Sequence, residues 1–251
     1  SLEDYLDRLP EYICLVFYVR GQAGGARKLM KKIKDQGGWV SFDKLDRGKL
    51  VKWIARELKE YGKQIDRATA EQLLFACGDE MLSLKNELGK LAAHAGEREA
   101  VTVMDVEAAV TKSAEYRIFD LADRVAGGKA GEALRLLQEM MAAGERSLML
   151  MSLLQRQYRQ LLFAKIMAEE GQGPAAIAQR LGLPPFVARR MAEMVRGQTT
   201  AMLKEGYMMC VNQEFLIKSG QMSEEGSLEG LIMNLLVLRR EEEFDSAEAK
   251  P

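Results

Sequence analysis

The chain has 251 residues, with 36 lysines and arginines against 37 aspartates and glutamates. That length makes two compact domains or one large one, enough to bury real cores, while a net charge of -1 gives no global field to draw the protein onto nucleic acid or membrane. Three distant cysteines (Cys14, Cys77, Cys210) argue against a disulfide framework or a metal cage, and a single histidine, His94, argues against His-based catalysis or metal binding.

In chain order, residues 12–19 (Tyr-Ile-Cys-Leu-Val-Phe-Tyr-Val) form a continuous β-branched and aromatic run, the pattern of a strand buried on both faces. A helix is expected from Ala26 to Gln36, then a short strand at Trp39, Val40 and Phe42, which together make one βαβ unit. Two strands do not make a stable sheet, so further strands are expected before Ser1, and the start of the chain reads as a cut inside a longer protein.

From Leu45 onward no strand is expected. Asp46 is placed to cap a helix carrying Leu50, Trp53, Ile54 and Leu58; Asp66 a second with Ala70, Leu73 and Leu74; Asp79 a third with Leu84, Leu88 and Leu91. His94, on that third helix, reads as a surface or boundary residue. Thr102 caps a helix of Val103, Val106 and Val110, and Ser113 to Tyr116 reads as a hinge. Longer helices follow over 118–125, 130–141, 148–169, 199–218 and 224–240, all with 3.6-residue patterning. The acidic tail 241–251 is expected to be disordered.

Between the longer helices, residues 173–191 read as a helical hairpin. Pro174 opens one helix, Gly182 ends it, and Pro184 and Pro185 open the next, with Val187 and Met191 on one face and Arg189 and Arg190 near them. Such hairpins occur in DNA-binding regulators and, more often, as plain packing units. Residues 146–196 hold eight basic and three acidic residues, a local charge of +5, so a neutral chain can still present a basic face. Gln155 to Gln160 places Tyr158 on a leucine stripe, with Arg156 and Arg159 on the opposite flank.

Catalytic signals are weak. Gly21 to Lys28 occupies the place of a phosphate-binding loop, yet lacks the second glycine followed by Lys and a hydroxyl residue that would reach phosphate and magnesium. Asp120 and Asp123, with Arg117 and Arg124, read as a solvated helix face, and the methionines read as adaptable packing. No catalytic residue, cofactor site or metal site is assigned.

The order of pieces carries a resemblance. The terminal strand and helix, the three-helix segment opening at Leu45 to Trp53, Ser113-Ala-Glu-Tyr-Arg-Ile-Phe-Asp-Leu-Ala-Asp, Leu154-Gln-Arg-Gln-Tyr-Arg-Gln-Leu-Leu, Ile177-Ala-Gln-Arg-Leu-Gly-Leu-Pro-Pro-Phe-Val and Phe215-Leu-Ile-Lys-Ser-Gly together resemble the delta-subunit family of bacterial DNA polymerase III clamp loaders. The resemblance implies a mainly α chain: a residual βαβ piece of an AAA+-like domain over 1–44, a helical lid over 45–112 and an all-helical collar over 113–240.

It also implies a cytoplasmic replication subunit that does not itself hydrolyse ATP, within a holoenzyme that is a DNA-directed DNA polymerase. The implied partners are the loader ATPase subunits gamma and tau, delta-prime, the beta sliding clamp through an N-terminal domain upstream of Ser1, and primed DNA, with no membrane. On that reading Phe186, Arg189 and Arg190 are candidate DNA contacts, and Arg156, Tyr158 and Arg159 candidate subunit-interface residues. A helix-turn-helix regulator and an AAA+-type enzyme are the competing expectations.

Overall fold

Helices form almost everywhere the apolar spacing is 3.6 residues, and strands almost nowhere. The computed structural model describes residues 2–21 and 27–248 and divides into two units, Ser1–Asp46 and Arg47–Pro251.

The first unit contains α1 (Leu2–Leu6) and α2 (Arg27–Asp35), which pack on each other, with Asp7 and Lys32 paired. Lys34 lies 4.7 Å from the Trp39 ring centroid. The expected βαβ piece is not formed: residues 12–19 and 39–42 are not strands, and Tyr12, Val16, Tyr18 and Phe42 are 87%, 78%, 81% and 95% exposed. An apolar run becomes a buried strand only when neighbours satisfy its backbone and cover its faces, and neither run has a strand beside it among the described residues. Most of the glycine turn at 21–28 lies outside the described residues.

The second unit opens with a small bundle: α3 (Arg47–Glu60), α4 (Arg67–Cys77), α5 (Met81–Ala95) and α6 (Val103–Ala109). Leu50, Ile54, Leu58, Leu73, Leu84, Leu88 and Leu91 fill its core. A short parallel pair, β1 (Gln64–Ile65) against β2 (Ala100–Val101), closes one end, with Gln64 opposite Ala100 and Ile65 opposite Val101. The absence of strands expected after Leu45 is thus corrected; two residues are too few to leave a period-2 signal. Lys63 Nζ donates to the carbonyls of Gly96 and Arg98 and fastens this pairing.

The caps follow local chemistry. Asp66 accepts from the Thr69 amide at 2.6 Å, but the third helix is capped by Glu80, which accepts from Ser83 at 2.7 Å, and not by Asp79. Thr102 and Asp105 make a reciprocal capping box on α6. Asp105 is buried and also accepts a two-pronged hydrogen bond from Arg98, at 2.6 and 3.0 Å. That guanidinium, followed by the Thr102 donors, holds the Asp105 carboxyl well below its ordinary range, against the opposing effect of burial.

Seven helices complete the chain: α7 (Ala114–Ala126), α8 (Ala130–Ala142), α9 (Ser147–Glu169), α10 (Pro174–Leu181), α11 (Pro185–Met194), α12 (Thr200–Lys218) and α13 (Ser227–Glu248). They share two cores. One joins Leu121, Val125, Leu137, Met140, Leu154, Tyr158 and Leu231; the other joins Phe119, Leu161, Ala164, Ile177, Val187, Met191 and Leu203. The helix α9 contributes to both.

Along its length α9 packs against α12 in antiparallel fashion, with Ser152 bonded to Glu214 at one end and Thr200 to Glu169 at the other. Residues 241–248 continue α13 instead of forming a disordered tail: Glu and Ala are good helix formers, and extension of a helix already anchored by buried Leu228, Ile232 and Leu235 needs no new nucleus. Residues 249–251 lie outside the described residues.

Two outcomes follow. A Cβ at position 206 would lie 2.7 Å from Tyr158 Cε1 and 3.2 Å from Leu235 Cδ2, so Gly206→Ala is expected to cost about 1–3 kcal/mol of stability in urea unfolding, the usual penalty for overpacking. Because the folded-state pKa of Asp105 is depressed, its stabilisation is fully present above the unfolded value of about 4 and is lost as pH falls through the folded value. Asp105→Asn is therefore expected to lower the urea midpoint by a constant amount from neutral pH down to about pH 5, with the gap to the parent chain closing in stronger acid.

Candidate functional site

Phe75, near the end of α4, is where the small bundle meets the helices that follow. Its ring stands edge-on to Tyr116 and Phe119 of α7, with centroids 5.3 Å away in each case, and to Phe186 of α11 at 5.5 Å. One residue on, the Ala76 carbonyl accepts from the Ser113 amide at 2.7 Å, while the Ser113 hydroxyl caps α7. Residues 113–116 therefore form a packed joint and not a hinge.

Arg190 closes this joint from the α11 side. Its Nη2 bonds Asp123 and reaches Asp120 at 3.2 Å, its Nε lies 3.1 Å from Asp123 Oδ2, and its guanidinium sits 5.0 Å from the Phe119 centroid. Asp120 also accepts from Arg124 at 2.9 Å. The two aspartates, read from sequence as a solvated helix face, thus clamp an arginine about seventy positions away; only the i, i+4 pair with Arg124 was visible from spacing.

The candidate DNA contacts are consequently separated. Phe186 is half-buried in the ring cluster, Arg190 is engaged by two carboxylates, and Arg189 is exposed. In the hairpin, Gly182 takes a left-handed conformation (φ 65°, ψ 30°) that ends α10. Ile177, Val187 and Met191 bury the hairpin's apolar faces.

The candidate interface residues also divide. Tyr158 is a core residue packed on Gly206, and burial raises its hydroxyl pKa. Arg156 and Arg159 are exposed and line a shallow concavity with Ser152, Gln155 and Tyr207. Helical spacing sets them in one exposed row with Met149 and Phe163. The surface is apolar at its ends and cationic in its middle.

Chemically reactive groups are scarce. Burial pushes the Cys77 and Cys210 thiols up to about 12, so neither supplies thiolate at neutral pH. No group of three His, Cys, Asp or Glu side chains among the described residues is arranged to hold a metal ion. His94 is largely exposed, with Nε2 3.6 Å from Asp105. No helix among the described residues is long and apolar enough to cross a membrane.

The described residues from Arg47 onward form a small helical bundle packed on a larger all-helical array. Residues 115–235 match the family model for the DNA polymerase III delta subunit, C-terminal domain, and the chain is similar over most of its length to DNA polymerase III delta subunits. It is 26% identical over 246 residues to the DNA polymerase III subunit delta of Bacillus subtilis (strain 168), covering 98% of this chain and 70% of that protein. It is 24% identical over 193 residues to the Escherichia coli (strain K12) subunit delta, covering 76% of this chain and 55% of that one. A similar match to the probable subunit delta of Aquifex aeolicus (strain VF5) is 24% identical and covers 61% of this chain and 44% of that protein. The solved Bacillus subtilis DNA clamp loader delta protein superposes with a TM-score of 0.60 at 25% identity, over 94% of this chain and 70% of that one.

The ring cluster makes Phe75 and Phe186 energetically coupled. A double-mutant cycle of Phe75→Ala and Phe186→Ala, read by urea unfolding, is expected to give a coupling of about 0.5–1.5 kcal/mol, the range for edge-on aromatic pairs.

Proposed function

We propose that this chain is the lid-and-collar part of a clamp-loader delta subunit. It serves assembly of the loader and does not carry its ATPase chemistry. The bundle α3–α6 is the lid and α7–α13 the collar. The complex it joins, in the cytoplasm, comprises the gamma or tau ATPase subunits and delta-prime, and it places the beta sliding clamp on primed DNA. The delta-subunit relatives support this reading, and a helix-turn-helix regulator finds no support among them.

The observation that carries the assembly role is the exposed row on α9. Arg156 and Arg159 are exposed in line with Met149 and Phe163, which are 40% and 51% exposed, and border a concavity with Tyr207 of α12. Aromatic, methionine and arginine side chains are the types enriched in protein interfaces, and a row of them on one helix suits a partner helix bearing carboxylates. Any DNA role of the hairpin falls to Arg189, whose exposed side chain would meet phosphate and not base edges.

Size-exclusion chromatography with the loader ATPase subunits and delta-prime tests the proposal. The chain is expected to co-elute with them, and Arg156→Glu with Arg159→Glu to weaken the association by at least about tenfold, as for reversed charges at an interface core. Absence of co-elution by the unmodified chain would overturn the reading.

A further inference from the structure

The lid carries a charge pattern that the collar reading does not use. On α3, Lys49, Lys52, Arg56 and Lys59 recur at intervals of three and four, which sets them in one row, and all four are exposed. Leu50, Ile54 and Leu58 fill the opposite face. From Lys52 to Lys59 the row runs roughly 10 Å at 1.5 Å per residue. Among the described residues no ion pair engages Lys52, Arg56 or Lys59, and α3 holds five basic residues against two acidic. Of those two, Glu57 is taken by Lys85 at 3.3 Å, and Glu60 lies at the helix end.

One further observation bears on what this row could hold. Trp53 is half-buried on the flank of the row, between Lys52 and Arg56 in sequence. Three aligned cations, Lys52, Arg56 and Lys59, beside an indole make the arrangement that tracks a phosphodiester backbone while offering a stacking surface to an unpaired base.

We propose that the outer face of α3, with Lys52, Arg56 and Lys59 as phosphate contacts and Trp53 as a stacking platform, is a sequence-independent docking surface for single-stranded nucleic acid. It is separate from the collar surface and independent of subunit assembly, so the chain alone is sufficient to test it.

The experiment is fluorescence anisotropy of a labelled oligothymidylate against the chain across a salt series beginning at low ionic strength. The unmodified chain is expected to bind, with a log-log salt slope that becomes shallower by about 2 when Lys52, Arg56 and Lys59 are all changed to Gln, given about 0.7 per phosphate contact on a single strand. The change to Glu at the same three positions is expected to reduce affinity at least tenfold. In a Trp39→Phe background, Trp53 emission is expected to be quenched on binding. The Arg156→Glu, Arg159→Glu chain should bind the oligonucleotide as the parent does, which separates this surface from the collar. Far-ultraviolet circular dichroism of each variant reports folding, and the Gln variant provides the comparison if the Glu variant unfolds. No binding by the parent at low salt, an unchanged slope in the Gln variant, or loss only of subunit association would each overturn the proposal.

Discussion

The helices α7–α13 depend on one close approach: Tyr158 of α9 lies against α12 because residue 206 has no side chain. A helix interior normally disfavours glycine by about 1 kcal/mol, so glycine here is a local cost set against packing gained across the seam. The fully buried Tyr158 ring and Leu235 fill the space that a β-carbon would take. With α12 drawn in, α9 can bury Leu150, Leu154 and Tyr158 toward α8 and α13, and Leu161 and Ala164 toward α10 and α11. A helix that feeds two cores buries more than one stripe, and α9 accordingly keeps its polar residues Ser152, Arg156 and Arg159 on the remaining exposed side.

The second constraint is the way the small bundle α3–α6 is held. Helical bundles joined by one strand of chain are usually free to pivot, but Phe75 packs edge-on against rings of α7 and α11 and Ser113 is bonded to the carbonyl beside it. Arg190, taken up by Asp120 and Asp123 with Phe119 beneath it, stiffens the same region. Charge pairing that is partly shielded from water is screened less than surface pairing, so this clamp keeps its geometry over a range of salt. The small bundle and the α10–α11 hairpin thus meet at the same cluster of rings.

Much of the helical architecture was legible in the sequence, because periodicity and caps are local. Leu50, Ile54 and Leu58 lie four apart and are buried; Asp66 and Thr102 cap the helices that begin after them. What was misread is nonlocal or ambiguous within a residue or two. Asp79 and Glu80 are neighbouring carboxylates with equal claim to a cap, and only backbone direction decides between them. The apolar run 12–19 has the composition of a buried strand, but strand formation is a property of the neighbours. Tyr158 fell on the leucine stripe as well as in an arginine-rich segment, and the stripe described it correctly. Arg190 was read with Arg189 as one basic pair; adjacent helical residues point about 100° apart, so one entered the joint and the other faced solvent.

The charge distribution shows why counting residues along the chain gives a poor map of where an anion would go. The segment 146–196 has a net charge of +5 by sequence, the highest of the blocks considered, and it supplied the candidate DNA contacts. In the structure Arg190 is spent on Asp120 and Asp123, Lys165 is 3.4 Å from Glu169, and the remaining cations lie on several helices that need not share a direction. At physiological salt, exposed charges separated by more than about 8 Å act largely independently, so a dispersed excess generates little concentrated field. On α3 a smaller excess of +3 lies on one helix, and three of its cations stand in a single row with successive members roughly 4.5–6 Å apart along the axis. Local potential depends on alignment as well as on net charge, so three aligned cations with no ion pair among the described residues concentrate positive charge on α3 although its total excess is smaller than that of residues 146–196.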